Sequence, residues 1–161
     1  MNKIVIKSTL TVYGSIDELP EEVKNLMQEA VKTRNKAYAP YSKFRVGAAL
    51  YLENGEVVIG SNQENASFPS GLCAERVAVY QAGARFPDQI IKMIAISAAS
   101  DLKDTTMPVP PCGACRQSIA EYEIKQNSPI AIYFMGKFGE VIKADSLKDI
   151  LPLVFDKGEL L

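Results

Sequence analysis

The sequence predicts an α/β protein with helices on both faces of a sheet. Short β-type apolar runs alternate with segments of helical periodicity along the whole chain. Ile90 to Ser97 is almost continuously apolar, as a strand buried on both faces must be. A composition of 47% hydrophobic and 23% charged residues describes an ordinary globular protein. The 161 residues fit a single domain spanning 1–161, long enough to bury a core without disulfide staples.

Each element has its own signal. Lys3 to Tyr13 alternates apolar and polar residues and fits a short N-terminal strand. Ser15-Ile16-Asp17-Glu18 reads as a capping box, and Leu19, Val23, Leu26, Met27, Ala30 and Val31 recur at helical spacing to about Ala37. Pro40 turns the chain into a loop. Phe44 to Leu52 and Glu56 to Gly60 flank Asn54-Gly55, a strong hairpin signal. A second helix is expected from Leu72 to Gly83, a natural stop residue, before the buried strand. A polar loop from Ala99 to Pro111, with three prolines near its end, leads to a third helix opening at Cys112. Strands over Pro129–Met135 and Glu140–Lys143 and a short helix near Ser146–Leu151 complete the pattern.

Charge and composition exclude several classes. Eighteen basic and nineteen acidic residues give a net charge of -1, which offers no field for nucleic acid or an anionic membrane. No apolar run approaches the roughly 20 residues of a membrane span, and the N-terminus lacks the pattern of a signal peptide. Three cysteines, an odd number, point to reduced thiols and a cytoplasmic location. Histidine is absent, which removes Ser-His and Cys-His nucleophiles and any imidazole base.

The cysteines carry the chemistry. Cys73-Ala74-Glu75-Arg76 and Pro111-Cys112-Gly113-Ala114-Cys115-Arg116-Gln117 place three thiols and a carboxylate in two short motifs. Cys112 and Cys115, three apart, share a helix face and can reach one ion; Cys73 and Glu75 can join them only from a helix that aims its N-terminus at the metal. The arrangement suggests one zinc held by three sulfurs, with the fourth position open to water beside Glu75. Three thiolates leave a net charge of -1 on the site, which helix dipoles and a cation, Arg76 or Arg116, can offset. Two other readings remain at this point. Cys-x-x-Cys at a helix start is also a redox motif, and a fourth Asp or Glu ligand would make a closed structural zinc.

Beyond the cysteines, Tyr41-Ser42-Lys43-Phe44-Arg45-Val46-Gly47-Ala48-Ala49-Leu50 and Asn62-Gln63-Glu64-Asn65-Ala66-Ser67-Phe68 stand in order before them. Together with the two cysteine motifs these blocks resemble the cytidine deaminases of pyrimidine salvage over roughly Tyr38 to Gln117, and Ile150 to Phe155 is similar to the family's closing segment. The resemblance implies a three-layer α/β/α sandwich around a mixed, roughly five-stranded sheet. Against it, residues 1–14 form an N-terminal extension and the 99–111 loop is enlarged.

The resemblance also implies a function: hydrolysis of cytidine and deoxycytidine to uridine and deoxyuridine plus ammonia, by attack of zinc-bound hydroxide at C4 with Glu75 shuttling protons. Cys73, Cys112 and Cys115 would hold one Zn2+ per subunit. Asn62 and Glu64 would bind the ribose hydroxyls, Phe44 would pack on the base, and the backbone at Ala74 would read the pyrimidine edge. Arg76 and Gln117 would hydrogen-bond the thiolates. Phe155 would come from a neighbouring subunit of a homotetramer with shared sites. A near-neutral chain with Glu64 at the sugar favours a free nucleoside over a nucleotide or nucleic acid. The alternatives are a deaminase of another aminopyrimidine nucleoside, such as blasticidin S, and a non-catalytic structural zinc module.

Overall fold

The computed structural model describes residues 1–160. Six strands form one sheet: β1 (Leu10–Tyr13), β2 (Phe44–Leu52), β3 (Val57–Ser61), β4 (Ile91–Ser100), β5 (Ala131–Met135) and β6 (Val141–Ala144). Three helices accompany them: α1 (Glu21–Arg34), α2 (Ala74–Arg85) and α3 (Gly113–Gln126). The strand order is β1-β6-β5-β4-β2-β3. β4 and β5 run parallel, and every other pair is antiparallel. The sheet is mixed, as expected, with one strand more than the rough five. The extra strand is β1, so the end of the N-terminal stretch joins the sheet edge, with Leu10 opposite Ala144 and Tyr13 opposite Val141.

The period-two pattern of β4 divides the core. Met93 and Ala95 face α1, where they pack with Val23, Met27 and Ala30. Ile94 and Ile96 face α2 and α3, where Ala78, Val79, Ile119 and Ala120 cover them. Ile94 and Ile96 are almost fully buried, and each such side chain contributes about 1.5–3 kcal/mol. Helices on both faces of the sheet make the three-layer α/β/α sandwich.

Boundaries depart from the sequence expectation where local chemistry intervenes. Ser15 caps only a 3-10 turn, Ile16–Glu18, and α1 starts after Pro20, whose ring suits a helix entry and whose missing N–H costs nothing there. α1 ends at Arg34, not Ala37. α2 runs through Gly83 to Arg85. That glycine admits α3 instead of stopping α2, since a Cβ there would lie 2.2 Å from the Tyr122 hydroxyl. The segment after Ser146 is a 3-10 turn, Leu147–Asp149, closed by a capping box. No helix is long and apolar enough to cross a membrane among the described residues.

Candidate metal centre

Two helix N-termini converge on one point. Cys73 is the N-cap of α2 and Cys112 the N-cap of α3, both in extended backbone, and neither thiol caps its own helix. Cys115 lies in the first turn of α3, buried. The Sγ atoms of Cys73 and Cys112 are 3.8 Å apart, and those of Cys112 and Cys115 are 3.5 Å apart. All three sulfurs lie within 4.8 Å of one another. Tetrahedral zinc with Zn–S bonds of about 2.3 Å requires sulfurs about 3.8 Å apart. The donor set therefore fits zinc. Among the described residues no carboxylate or imidazole joins the three sulfurs in this cluster.

The partners of the sulfurs shape their protonation. Hydrogen bonding from the Cys115 thiol, helped by Arg76, lowers Cys73 to about 5, while Cys115 is raised because it holds its proton against Cys73. Zinc binds cysteine as thiolate, so metal uptake at this cluster releases thiol protons. Arg76 Nη2 donates to Cys73 Sγ at 3.7 Å. Its Nε is buried with no hydrogen-bond partner among the described residues.

Glu75, one residue into α2, is 4% exposed. Burial raises its carboxyl to about 7, and the Cys73 charge adds to the effect. A cavity of about 720 Å³ opens onto Cys73, Glu75, Arg76 and Cys112. Phe44, Asn62 and Glu64 line the same cavity, so the two blocks and the first cysteine motif meet in one place. Ala74 is fully buried behind them at the start of α2.

The polar pair on the cavity wall, Asn62 and Glu64, is already braced. Asn62 accepts from the Val46 amide through Oδ1 at 2.8 Å and donates through Nδ2 to the Phe44 carbonyl at 2.9 Å. Glu64 accepts from the Tyr41 amide at 2.9 Å and from the Ser42 hydroxyl and amide. Burial opposes the charge on Glu64, but the Ser42 hydroxyl and the two amides outweigh it and hold the carboxyl below its ordinary value. Each group keeps unused capacity, because an amide has two donor hydrogens and a carboxylate about four acceptor sites.

Two expected placements change. Gln117 donates through Nε2 to the Phe155 carbonyl at 2.9 Å, not to a sulfur. Two residues beyond Cys115, it points to nearly the opposite side of α3. Arg116 likewise turns from the thiolates: Nε donates to the Pro111 carbonyl at 2.8 Å and Nη1 to the Ile150 carbonyl at 2.6 Å. Phe155 is 57% exposed and does not line the cavity of its own chain. Sequence reasoning missed Tyr41 and Phe68, which meet edge to face at 6.0 Å on the cavity wall, and Val109 and Pro110 from the proline-rich loop. Tyr41 and Phe68 stood within the quoted blocks, but nothing in periodicity marks a cavity wall.

Comparison with known proteins agrees with this geometry. The sequence model of the cytidine and deoxycytidylate deaminase zinc-binding region matches residues 20–128. A cytidine deaminase of Halalkalibacterium halodurans is 45% identical over 135 residues, 84% of this chain and 95% of that protein. One from Sporosarcina psychrophila is 39% identical over 139 residues, 86% of this chain and 95% of the relative. The solved cytidine deaminase of Burkholderia pseudomallei superposes with a TM-score of 0.71 at 35% identity, over 85% of this chain and all of the other.

Proposed function

Because this chain belongs to the cytidine and deoxycytidylate deaminase family, whose zinc-binding region it carries, we propose that it hydrolyses cytidine and deoxycytidine to uridine and deoxyuridine, releasing ammonia. The observation that carries the reading is the buried Glu75 carboxyl beside three clustered thiols, on the wall of a cavity that Asn62 and Glu64 also line.

Bound zinc supplies a Lewis-acid centre that lowers the pKa of water and so provides a nucleophile at neutral pH. The rest is work for the chain's own side chains. Glu75, buried beside the thiols, accepts a proton from the attacking water as oxygen adds to C4 of the base. It passes that proton to N3, which quenches the charge that develops on the ring. It then takes the proton of the new C4 hydroxyl and delivers it to the amino nitrogen, the C4–N bond breaks and ammonia departs, leaving a carbonyl at C4. A carboxyl with its pKa near the working pH can both take and give a proton, which is what one residue in two roles requires. The amides at the start of α2, next to Ala74, have no partners inside the helix and can read the pyrimidine edge.

Asn62 and Glu64 use their spare donor and acceptor capacity on the ribose hydroxyls, and Phe44 packs on the base. A carboxylate held ionised at that position repels a phosphate, which favours the free nucleoside. Phe155 and Leu153, both exposed and neither lining the cavity of their own chain, serve a second subunit in a homotetramer with shared sites. Three free thiols require a reducing compartment, and we place the protein in the cytoplasm.

The test follows both products. Purified zinc-loaded protein given cytidine should yield uridine and ammonia in equal amounts, with cytidine monophosphate turned over far more slowly. Turnover of a different aminopyrimidine nucleoside, but not of cytidine, would contradict the substrate assignment. Absence of turnover with any such nucleoside, in protein that holds zinc, would favour a structural metal.

A further inference from the structure

Arg116 sits between the metal-ligand turn and the C-terminal segment, and its bonds join them. Its guanidinium reaches the carbonyl of Pro111, the residue immediately before the Cys112 ligand, and the carbonyl of Ile150. Neither contact is to a sulfur. Cys112 is an N-cap whose exposed side chain makes no capping bond, and the Pro111 carbonyl that Arg116 holds belongs to the peptide leading into it. The orientation of the Pro111–Cys112 peptide, and with it the Cys112 thiol, is therefore open to control through the Pro111 carbonyl. At the other end of α3, Glu123 accepts from the Ser146 hydroxyl and the Leu147 amide, the start of the same C-terminal segment. The segment consequently spans α3 from end to end, fixed by Glu123 at one end and by Arg116 at the other, with Gln117 extending the attachment to Phe155.

We propose that Arg116 is a positioning residue that clamps the Cys112 peptide to the C-terminal segment, so that retention of the metal and the seating of residues 150–155 depend on one another. The proposal rests on the reading that the three cysteines hold zinc. It is a claim about the fork of the guanidinium and not about its charge. Two donors in one rigid plane can bridge two carbonyls, whereas a lysine brings the same charge as a single mobile point. Coupling of this kind is reciprocal: what loosens the segment weakens metal binding, and loss of metal loosens the segment.

The experiment uses the full-length zinc-loaded protein with Arg116→Lys and Arg116→Ala. Zinc transfer to a colorimetric chelator, the absorption spectrum of the cobalt-substituted protein and hydrogen exchange at residues 150–156 are measured for each. Both variants should bind zinc about 10–100-fold more weakly, a typical cost of losing a group that orients a ligand. Both should also show an altered sulfur-to-cobalt absorption band and at least about tenfold faster exchange in the C-terminal segment. An Arg116→Lys protein that matches the wild type in metal retention and cobalt spectrum would overturn the proposal, because charge alone would then suffice. Wild-type protein stripped of zinc supplies an arm independent of variant folding: exchange at 150–156 should rise at least about tenfold, and unchanged exchange would also overturn it. A wild-type protein that takes up neither zinc nor cobalt would sink the metal reading itself, and this proposal with it.

Discussion

At the scale of single residues, Glu75 is a carboxyl whose burial favours its acid form over the carboxylate. Its pKa rises from 4.5 unfolded to about 7 folded, so the native state keeps a proton that the unfolded chain has lost. Between those values stability falls as pH rises, by on the order of 3 kcal/mol for a shift of this size. Glu75→Gln carries no such penalty. The metal-free variant should therefore melt above the metal-free wild type at pH 8, and the difference should vanish near pH 4. Thermal denaturation of the two proteins across that range checks it; a constant difference would mean that burial does not perturb this carboxyl. The site at this scale was largely legible, because three cysteines without a histidine admit few chemistries. Gln117 and Arg116 were misplaced, because adjacency to a ligand says nothing about which face of the helix a side chain takes.

At the scale of elements, β3 and α3 hold the site by close approach and by a buried carboxylate. Gly60 of β3 lies so near α2 that an added Cβ would fall 2.5 Å from the Ala74 carbonyl and 2.6 Å from the Ala78 amide. These are backbone atoms and cannot swing aside. Gly60→Ala should cost about 1–3 kcal/mol through overpacking, and should weaken zinc retention because the displaced helix carries Cys73 and Glu75. Chelator competition alongside thermal melting tests both parts. Glu123 is buried, and its Oε2 accepts from the Ile130 amide at 2.8 Å and the Leu147 amide at 3.0 Å. Glu123→Ala strands both donors, and denaturant unfolding should show a loss of about 2–5 kcal/mol. Periodicity revealed α1 and β4, yet it placed the end of α2 at Gly83. A glycine that stops a helix and a glycine that admits a neighbour look alike in sequence, and only the Tyr122 contact separates them.

At the scale of the whole molecule, the sheet gains an edge strand and the C-terminal segment leaves its aromatic exposed. The alternation of Lys3 to Tyr13 was visible in sequence, but only Leu10–Tyr13 pairs, because pairing needs a partner and β6 is only four residues long. The exposure of Phe155 supports shared sites between subunits. Phe155→Ala should therefore raise the KM for cytidine about 10–100-fold, in keeping with about 1.5–3 kcal/mol for a buried aromatic, while zinc content stays at one per chain. Light scattering of the wild type should give the mass of four chains. A monomeric, fully active protein would contradict the assembly.

The measurement that bears most directly on the account is turnover of cytidine by the wild type and by Glu75→Gln, with zinc content determined on the same preparations. The account predicts one zinc per chain in both proteins, uridine and ammonia from the wild type, and a rate about 10²–10⁴-fold lower in the variant. Equal rates in two proteins of equal zinc content would contradict it, because the proton transfers at N3 and at the departing nitrogen would then not depend on Glu75.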